Sequence, residues 1–427
     1  MKLSVDEYPV SAIGWGAATA YSNGKLTLNK DELLTYLKDT ARADGLKNIE
    51  FSLVEPNSET RINNIIDVLP AYARLGEGAS TFPGVLGPVQ TVGNGHSAEL
   101  MDFSIVAVSD FPSLFNKVMD KTGPGNDISP FKPHFHLALS ASPARSAMAP
   151  WEYQVALRIA GLAIGVYLAG IAAGAAAPGR AVYEIPRVSD DLPKVVYICQ
   201  LVSLQYWNKG EPVLYGNDLA NMVPTIMHPN EFIDSGVVAC GLQLNVDTYT
   251  FKNNPVIKEL YMRHGKELDF AGVIAVAAHA TRQQREFSVQ MAVKLACDIL
   301  HANLAVLTKV GGGVPESDVM MMIEGLEKRG VKTVGILWGH EGGSIYEVLT
   351  AYSSMADALV SVGLEDGRTA LPAIKNIVGR HEVDFKRNNP GEGTIIQDAS
   401  GSLDIVYSNI CGAIDQLGAG KVSFREV

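Results

Sequence analysis

The chain has 427 residues, of which 47% are hydrophobic and 19% charged, with a formal net charge of −11. That length supports two or three domains with substantial cores, and the composition is that of a globular protein rather than a disordered one. An acidic chain without a basic footprint excludes nucleic acid or an anionic membrane surface as a main partner.

Four cysteines, Cys199, Cys240, Cys297 and Cys411, stand far apart, with no C-x-x-C and no Cys/His cluster at zinc-ligand spacing. Disulfides and a structural metal are therefore not expected. The first residues are polar and acidic, and a reduced, cytoplasmic protein fits best.

Residues 1–110 read as a β-rich domain. Asn23-Gly24 suits a tight hairpin turn, residues 30–38 form a short amphipathic helix capped by Asn29, and residues 48–54 and 100–108 alternate as strands. Residues 111–239 form a second region. Its start, 122–131, holds two glycines and two prolines and is expected to be irregular. His134 and His136 follow; with no third ligand in view, they read as ordinary strand or loop histidines. Residues 151–177 form a long Ala-rich helix. Its stretch 159–178 is long enough to span a bilayer, but it lacks flanking charge and an aromatic belt, so a buried helix is expected. Residues 194–202 are a buried strand with Cys199 in the core.

From residue 240 to 427 an α/β pattern is expected. Strands are predicted at 268–277, 304–310, 331–338 and 359–362. Helices are predicted at 281–300, 316–329 and 346–358, with another near 410–417. Strand-helix-strand at this spacing means right-handed crossovers and a mostly parallel, doubly wound sheet, so the fold class is α/β. Two glycine loops, Gly311-Gly312-Gly313 and Gly339-His340-Glu341-Gly342, fall at strand ends where such sheets bind ligands. Each is either a turn capped by Ser317 or Ser344, or an anion site at a helix start. His279, His340 and Glu341 share that location.

Cys240 stands among small residues, Val237-Val-Ala239-Cys240-Gly241. Taken alone it is either a small buried residue or a nucleophile with access to the carbonyl of Ala239. Thr248-Tyr249-Thr-Phe-Lys252-Asn253-Asn254-Pro255-Val-Ile follows, then Arg263-His264-Gly265. Asn253 and Asn254 are either a turn and a helix cap before Pro255 or part of a site. Arg263 is either a bidentate ligand for a substrate carboxylate or a solvated helix-end residue. Thr248, Tyr249 and Lys252 either position Cys240 or decorate a loop.

These segments, with Phe82-Pro-Gly-Val, Val92-Gly-Asn-Gly-His96, Gly123-Pro124-Gly125 and Leu192-Pro-Lys-Val, resemble the proprotein of component B of the glycine, sarcosine and betaine reductase complexes; the D-proline reductase proprotein is related. The resemblance covers nearly the whole chain. It implies autocatalytic cleavage before Cys240, giving chains 1–239 and 240–427, with Cys240 becoming a pyruvoyl group, the cofactor. It implies a selenocysteine-containing component B subunit and a small carrier selenoprotein as partners, and glycine, sarcosine or betaine as amine substrate.

The chemistry itself can be argued. Attack of the Cys240 thiol on the Ala239 carbonyl gives a thioester. Elimination and hydrolysis then leave an electrophilic ketone that can accept an amine and make its nitrogen a better leaving group. Ala239 brings no side-chain group of its own to that shift. The candidate residues are thus Cys240 and Ala239 for processing, and Asn253, Asn254, Arg263, His264 and Tyr249 for substrate. The alternatives are an unprocessed paralogue acting as a scaffold and a pyruvoyl enzyme of another type, such as a decarboxylase.

Overall fold

The computed structural model describes the chain except residues 112–115, 205–209, 241–244, 340–352, 357, 366, 386–394 and 421–427. Helix α1 (Lys30–Asp39) starts where the sequence predicts it: the Asn29 side chain accepts the backbone N–H groups of Asp31 and Glu32. Before it, Asn23 and Gly24 join the strands Ala20–Ser22 and Lys25–Leu28. Their φ values of 49° and 82° are the paired positive angles of a tight hairpin turn.

Strands β1 (Lys2–Pro9), β2 (Leu46–Val54), β3 (Ile65–Leu75), β4 (Gly95–Ser109), β5 (Phe135–Pro143) and β6 (Gly179–Glu184) make one mixed sheet. Its order is β6-β1-β4-β5-β2, with β3 also paired to β4. Strand β4 runs parallel to β1 over residues 95–101 and parallel to β5 over 103–109. The change of neighbour falls at Asp102, whose φ of 55° interrupts the extended backbone.

Helix α2 (Pro150–Ala172) is long and apolar enough to cross a membrane by length and composition, and here it packs on this sheet against β3 and β4. Glycines permit the close approach. A Cβ on Gly161 would stand 2.4 Å from Leu69 Cδ1, and one on Gly165 would stand 2.4 Å from the Pro70 carbonyl oxygen.

The second sheet contains β7 (Lys194–Ser203), β8 (Thr225–Met227), β9 (Asp269–Ala278), β10 (Leu304–Thr308), β11 (Lys332–Gly339) and β12 (Leu359–Leu364), in the order β8-β9-β7-β10-β11-β12. All neighbours are parallel except the edge strand β8. The parallel strands stand second, first, third, fourth, fifth in chain order, a doubly wound arrangement. Helices α3 (Thr248–Lys252), α4 (Pro255–Arg263), α5 (Arg282–Lys294) and α6 (Val314–Glu327) cover it.

Strand alternation in β7 sorts the two faces. Val196 and Ile198 pack with α5 and α6. Val195, Tyr197, Cys199 and Leu201 face the other way, into a cluster with Phe251 of α3, Ile257 and Leu260 of α4, and Leu3 and Tyr72 of the first sheet. Ala239 and Cys240 belong to that cluster.

Several expectations are corrected. Residues 122–131 are not all irregular: Gly123–Ile128 is a short helix, because Pro124 occupies its first turn, where no N–H is needed. Residues 410–417 form turns after a short 3-10 segment, Tyr407–Asn409, rather than a helix. At α6 the cap is the Glu316 carboxylate, 3.3 Å from the Gly313 N–H, and not Ser317, whose own N–H bonds back to the Gly313 carbonyl. The loop from His340 to Ser344 and most of the expected helix at 346–358 lie outside the described residues.

A division of the chain at residue 240 runs through the second sheet. Strand β7 precedes Cys240 yet lies between β9 and β10, which follow it. In return, strand Asn376–Gly379 adds to Thr60–Asn63 in the amino half. Buried Arg61 donates to the carbonyls of Pro372, Ala399 and Gly401. Farther along the carboxy half, Asp415 is buried; its Oδ1 accepts the Leu417 N–H while Oδ2 has no partner.

Two outcomes are expected. Gly165→Ala forces a Cβ onto the β3 backbone and is expected to cost about 1–3 kcal/mol, against a helix-propensity gain of about 1 kcal/mol. Gly170→Ala, with open space around its Cβ, is expected to be neutral or stabilising; equal urea midpoints for the two variants would refute the close-approach account. Burial raises the Asp415 carboxyl to about 7. Between pH about 4 and 7 the unfolded chain therefore releases a proton that the folded chain retains, and stability falls as pH rises, by up to roughly 4 kcal/mol. Asp415→Asn is expected to flatten that slope in urea unfolding at pH 5 and pH 8.

Candidate active site

The segment leading to Cys240 is pinned before it arrives. Asp234 accepts the Tyr72 hydroxyl at 2.6 Å, the Gly93 N–H at 2.6 Å and the Ser97 hydroxyl at 3.1 Å, and it pairs with Arg74 at 3.0 Å. The next residues run antiparallel to 213–215: the Tyr215 N–H donates to the Gly236 carbonyl, and the Val238 N–H donates to the Val213 carbonyl. That pairing brings Glu211, just upstream of Val213, beside the end of the segment. Ala239 and Cys240 are both buried.

On the far side, the Asp247 side chain caps α3 by accepting the Thr250 N–H. This places Thr248 at the first position of the helix. Its hydroxyl is bonded twice: it donates to Asp67 Oδ2 at 2.7 Å and accepts the Ala239 N–H at 3.1 Å. Its backbone N–H donates to Asp67 Oδ1 at 2.9 Å. The peptide just before the Ala239–Cys240 bond is thus held by a hydroxyl that a carboxylate orients.

Asp67, on β3, is fully buried and paired with Arg158 of α2, whose Nε donates to Oδ2 at 2.8 Å. Arg158 Nη1 stands 3.6 Å from Glu211 Oε2, and Nη2 has no partner. Burial raises the Asp67 carboxyl, with Arg158 opposing. Burial and then the Glu211 charge push the Cys240 thiol far up, with Arg158 opposing. Cys240 therefore rests as a neutral thiol, and its proton has carboxylates beside it.

The residues after Cys240 have other partners. Asn254 caps α4 by accepting the Ile257 N–H, and its amide donates to the Tyr197 hydroxyl. Asn253 donates to Glu99 at 3.3 Å and accepts Lys258 Nζ at 2.8 Å. Lys252 is buried against Glu99 and over the Tyr72 ring. Arg263 is exposed and paired with Glu259 and Glu267 along its own helix end. His264 accepts the Phe270 N–H at Nδ1 and donates from Nε2 to the Pro186 carbonyl, which fastens α4 to the start of β9. Tyr249 packs on Phe131 and His134. The structure brings Thr248, of this group, to the Ala239–Cys240 bond.

Asp67, Arg158 and Glu211 were not singled out by sequence reasoning. One signal was present: Arg158 is the lone basic residue in a helix that is apolar beyond its first turns, and a buried charge demands a partner. His134 and His136 are buried, with His136 between the Ser104 hydroxyl and Lys121 Nζ. No group of three metal-ligating side chains occurs among the described residues.

Residues 1–425 match the family described as glycine/sarcosine/betaine reductase component B subunits. The glycine reductase complex component B subunits alpha and beta of Acetoanaerobium sticklandii are 28% identical, over 100% of both chains. From Peptoclostridium acidaminophilum, the sarcosine reductase complex component B subunit alpha is 26% identical over 98% of this chain and 99% of its own. The betaine reductase complex component B subunit alpha of that organism is 28% identical over 90% and 88%. No solved structure matches. With a family match spanning both sheets and the segment around Cys240, the chain belongs to the glycine/sarcosine/betaine reductase component B family.

Proposed function

We propose that this chain is the precursor of a substrate-binding reductase subunit, cut between Ala239 and Cys240, with Cys240 converted to a pyruvoyl group. The observation that carries the reading is the Thr248 hydroxyl, oriented by Asp67 and holding the Ala239 N–H beside a buried cysteine. Ala239 has no side chain that could assist, and Thr248 supplies a hydroxyl from across the site.

The surroundings fit a reactive carbonyl. Among the described residues, the charged groups acting on Cys240 are Glu211, Arg158 and Asp67, and none of these carries an amine that would consume a ketone. Apolar walls exclude water. The pyruvoyl group supplies an electrophilic carbonyl that accepts the substrate amine.

The residues of the chain make the group as follows. Thr248 fixes the peptide before the bond and limits how Ala239 can turn. Glu211 takes the thiol proton, and Cys240 Sγ attacks the Ala239 carbonyl carbon. The C–N bond to Cys240 breaks, and the proton goes to the freed nitrogen. Loss of the Cys240 α-proton then expels the sulfur with the upstream chain, and water releases ammonia. The reaction happens once per chain, so a thiol with a high pKa suffices where a turnover enzyme would need a thiolate.

The likeness to component B relatives supports an assembly of the kind their names describe. In it, a selenocysteine-containing subunit and a carrier selenoprotein in the cytoplasm complete the reduction of glycine, sarcosine or betaine.

Intact mass under denaturing conditions tests the cut. Two species, 1–239 and 240–427, are expected. Cys240→Ala is expected to yield one full-length species that no hydrazine labels; cleavage of that variant refutes the assignment. Because β7 lies between strands of the other half, the two pieces are expected to co-elute in native chromatography and to separate only in denaturant.

Thr248→Val removes a buried hydroxyl bonded on both sides, a loss of about 1–3 kcal/mol, so processing is expected to slow roughly tenfold or more. Thr248→Ser is expected to restore it. A wild-type cleavage rate in the valine variant removes Thr248 from the mechanism.

A further inference from the structure

We infer that the carboxyl-end crevice of the second sheet is a separate binding site, and that it takes an uncharged ring whose carbonyl oxygens accept hydrogen bonds, as the rings of uracil and flavin do. The inference stands apart from the proposed conversion of Cys240.

Chain order reverses between β7 and β10: from β7 the parallel strands continue through β9 on one side and through β10 on the other. Open α/β sheets bind ligands at such a reversal, outside the carboxyl ends of the strands. Here Cys199 pairs with Thr308, the last residue of β10. Gln200 therefore stands at the end of the shared ladder, where Val310-Gly311-Gly312 leaves β10.

Three buried donors meet at those three residues. Gln200 Oε1 accepts the Val310 N–H at 3.1 Å, and Gln416 Oε1 accepts the Gly311 N–H at 2.7 Å. A backbone N–H needs an oxygen opposite it, so both side-chain amides turn their NH2 groups the other way. The Trp338 indole lies against Gly312, where an added Cβ would stand 3.7 Å from Nε1. Gln200 Nε2, Gln416 Nε2 and Trp338 Nε1 are all buried, and none has an acceptor among the described residues. One such donor is uncommon in a folded protein, and three around consecutive residues point to a ligand that brings acceptors.

The charges argue against an anion. Buried Lys309 stands 3.3 Å from Glu316 Oε1 and 4.3 Å from the centre of the Trp338 ring, and Glu316 also caps α6 at the Gly313 N–H. The helix start behind the glycine loop thus holds the chain's own carboxylate, and a second anion would be buried beside it at a cost. Sugars and alcohols bring a donor with every acceptor, whereas a carbonyl oxygen accepts without donating. A ring bearing two carbonyls supplies the excess of acceptors that these amides and the indole call for.

Calorimetric titration of the purified chain with riboflavin, with uridine and with adenosine tests this. All three probes are uncharged, and adenosine has no carbonyl. Riboflavin or uridine is expected to bind, with adenosine weaker by roughly tenfold or more. Binding of both shows that the dione edge alone is read, and binding of riboflavin alone shows that the wider ring is needed; either supports the site. Trp338→Phe keeps the packing and removes the indole N–H, and it is expected to weaken the bound probe by roughly tenfold. Gln416→Glu keeps an oxygen for the Gly311 N–H and removes the NH2 group; it serves if the phenylalanine variant does not fold. No binding of either carbonyl probe overturns the inference and leaves the donors to ordered water. Adenosine binding as tightly as they do, or variants that bind as wild type does, overturns it as well.

Discussion

The contact on which the site depends is the buried pair between Asp67 and Arg158. Two charges withdrawn from water gain little net stability from each other, and removing one partner typically costs about 3–5 kcal/mol because the other is left uncompensated. What the pair provides is geometry. Arg158 ties α2 to β3, Asp67 extends the link to Thr248 at the start of α3, and Thr248 reaches the peptide at Ala239. Three elements distant in the chain are thereby fixed to one bond.

That link also explains why α2 is so rich in alanine and glycine. A helix lying this close to a sheet brings an arginine down onto an aspartate on the strand beneath it. Larger residues at 161 and 165 would lift the helix off β3 and lengthen the ion pair. The apolar composition that makes α2 resemble a membrane span by length is, in this fold, what lets it carry one charge into the core.

Much of the fold was legible in the sequence because it is written locally. Asn23-Gly24 names its turn, Asn29 names its cap, and the strand-helix alternation after residue 268 gives the parallel sheet. The short helix at Gly123–Ile128 was missed because prolines count against helices except in the first turn, where this one sits. Of the candidate site, the sequence offers only the centre. Cys240 and Ala239 were recognisable from their motif, but Asp67, Arg158 and Glu211 meet them through tertiary contacts that no local pattern encodes. The most distinctive stretch, Asn253 to His264, is distinctive for a structural reason: its side chains cap α4, hold Glu99 and fasten α4 to β9.

The position of the proposed cut suits the same architecture. A chain severed at a loop between independent domains would fall apart, whereas here the halves exchange strands. Strand β7 from the front half is the second-sheet element hydrogen-bonded between β9 and β10, and the strand Asn376–Gly379 from the back half completes a sheet in the front. Cleavage at Ala239–Cys240, as proposed, would therefore free a chain end without freeing a domain. A terminus at residue 240 would stay beside Thr248, Arg158 and Glu211, in the cluster that both sheets build. A protein-derived carbonyl is useful only if the end that bears it remains buried and fixed. The interlocked sheets meet that condition before any partner binds.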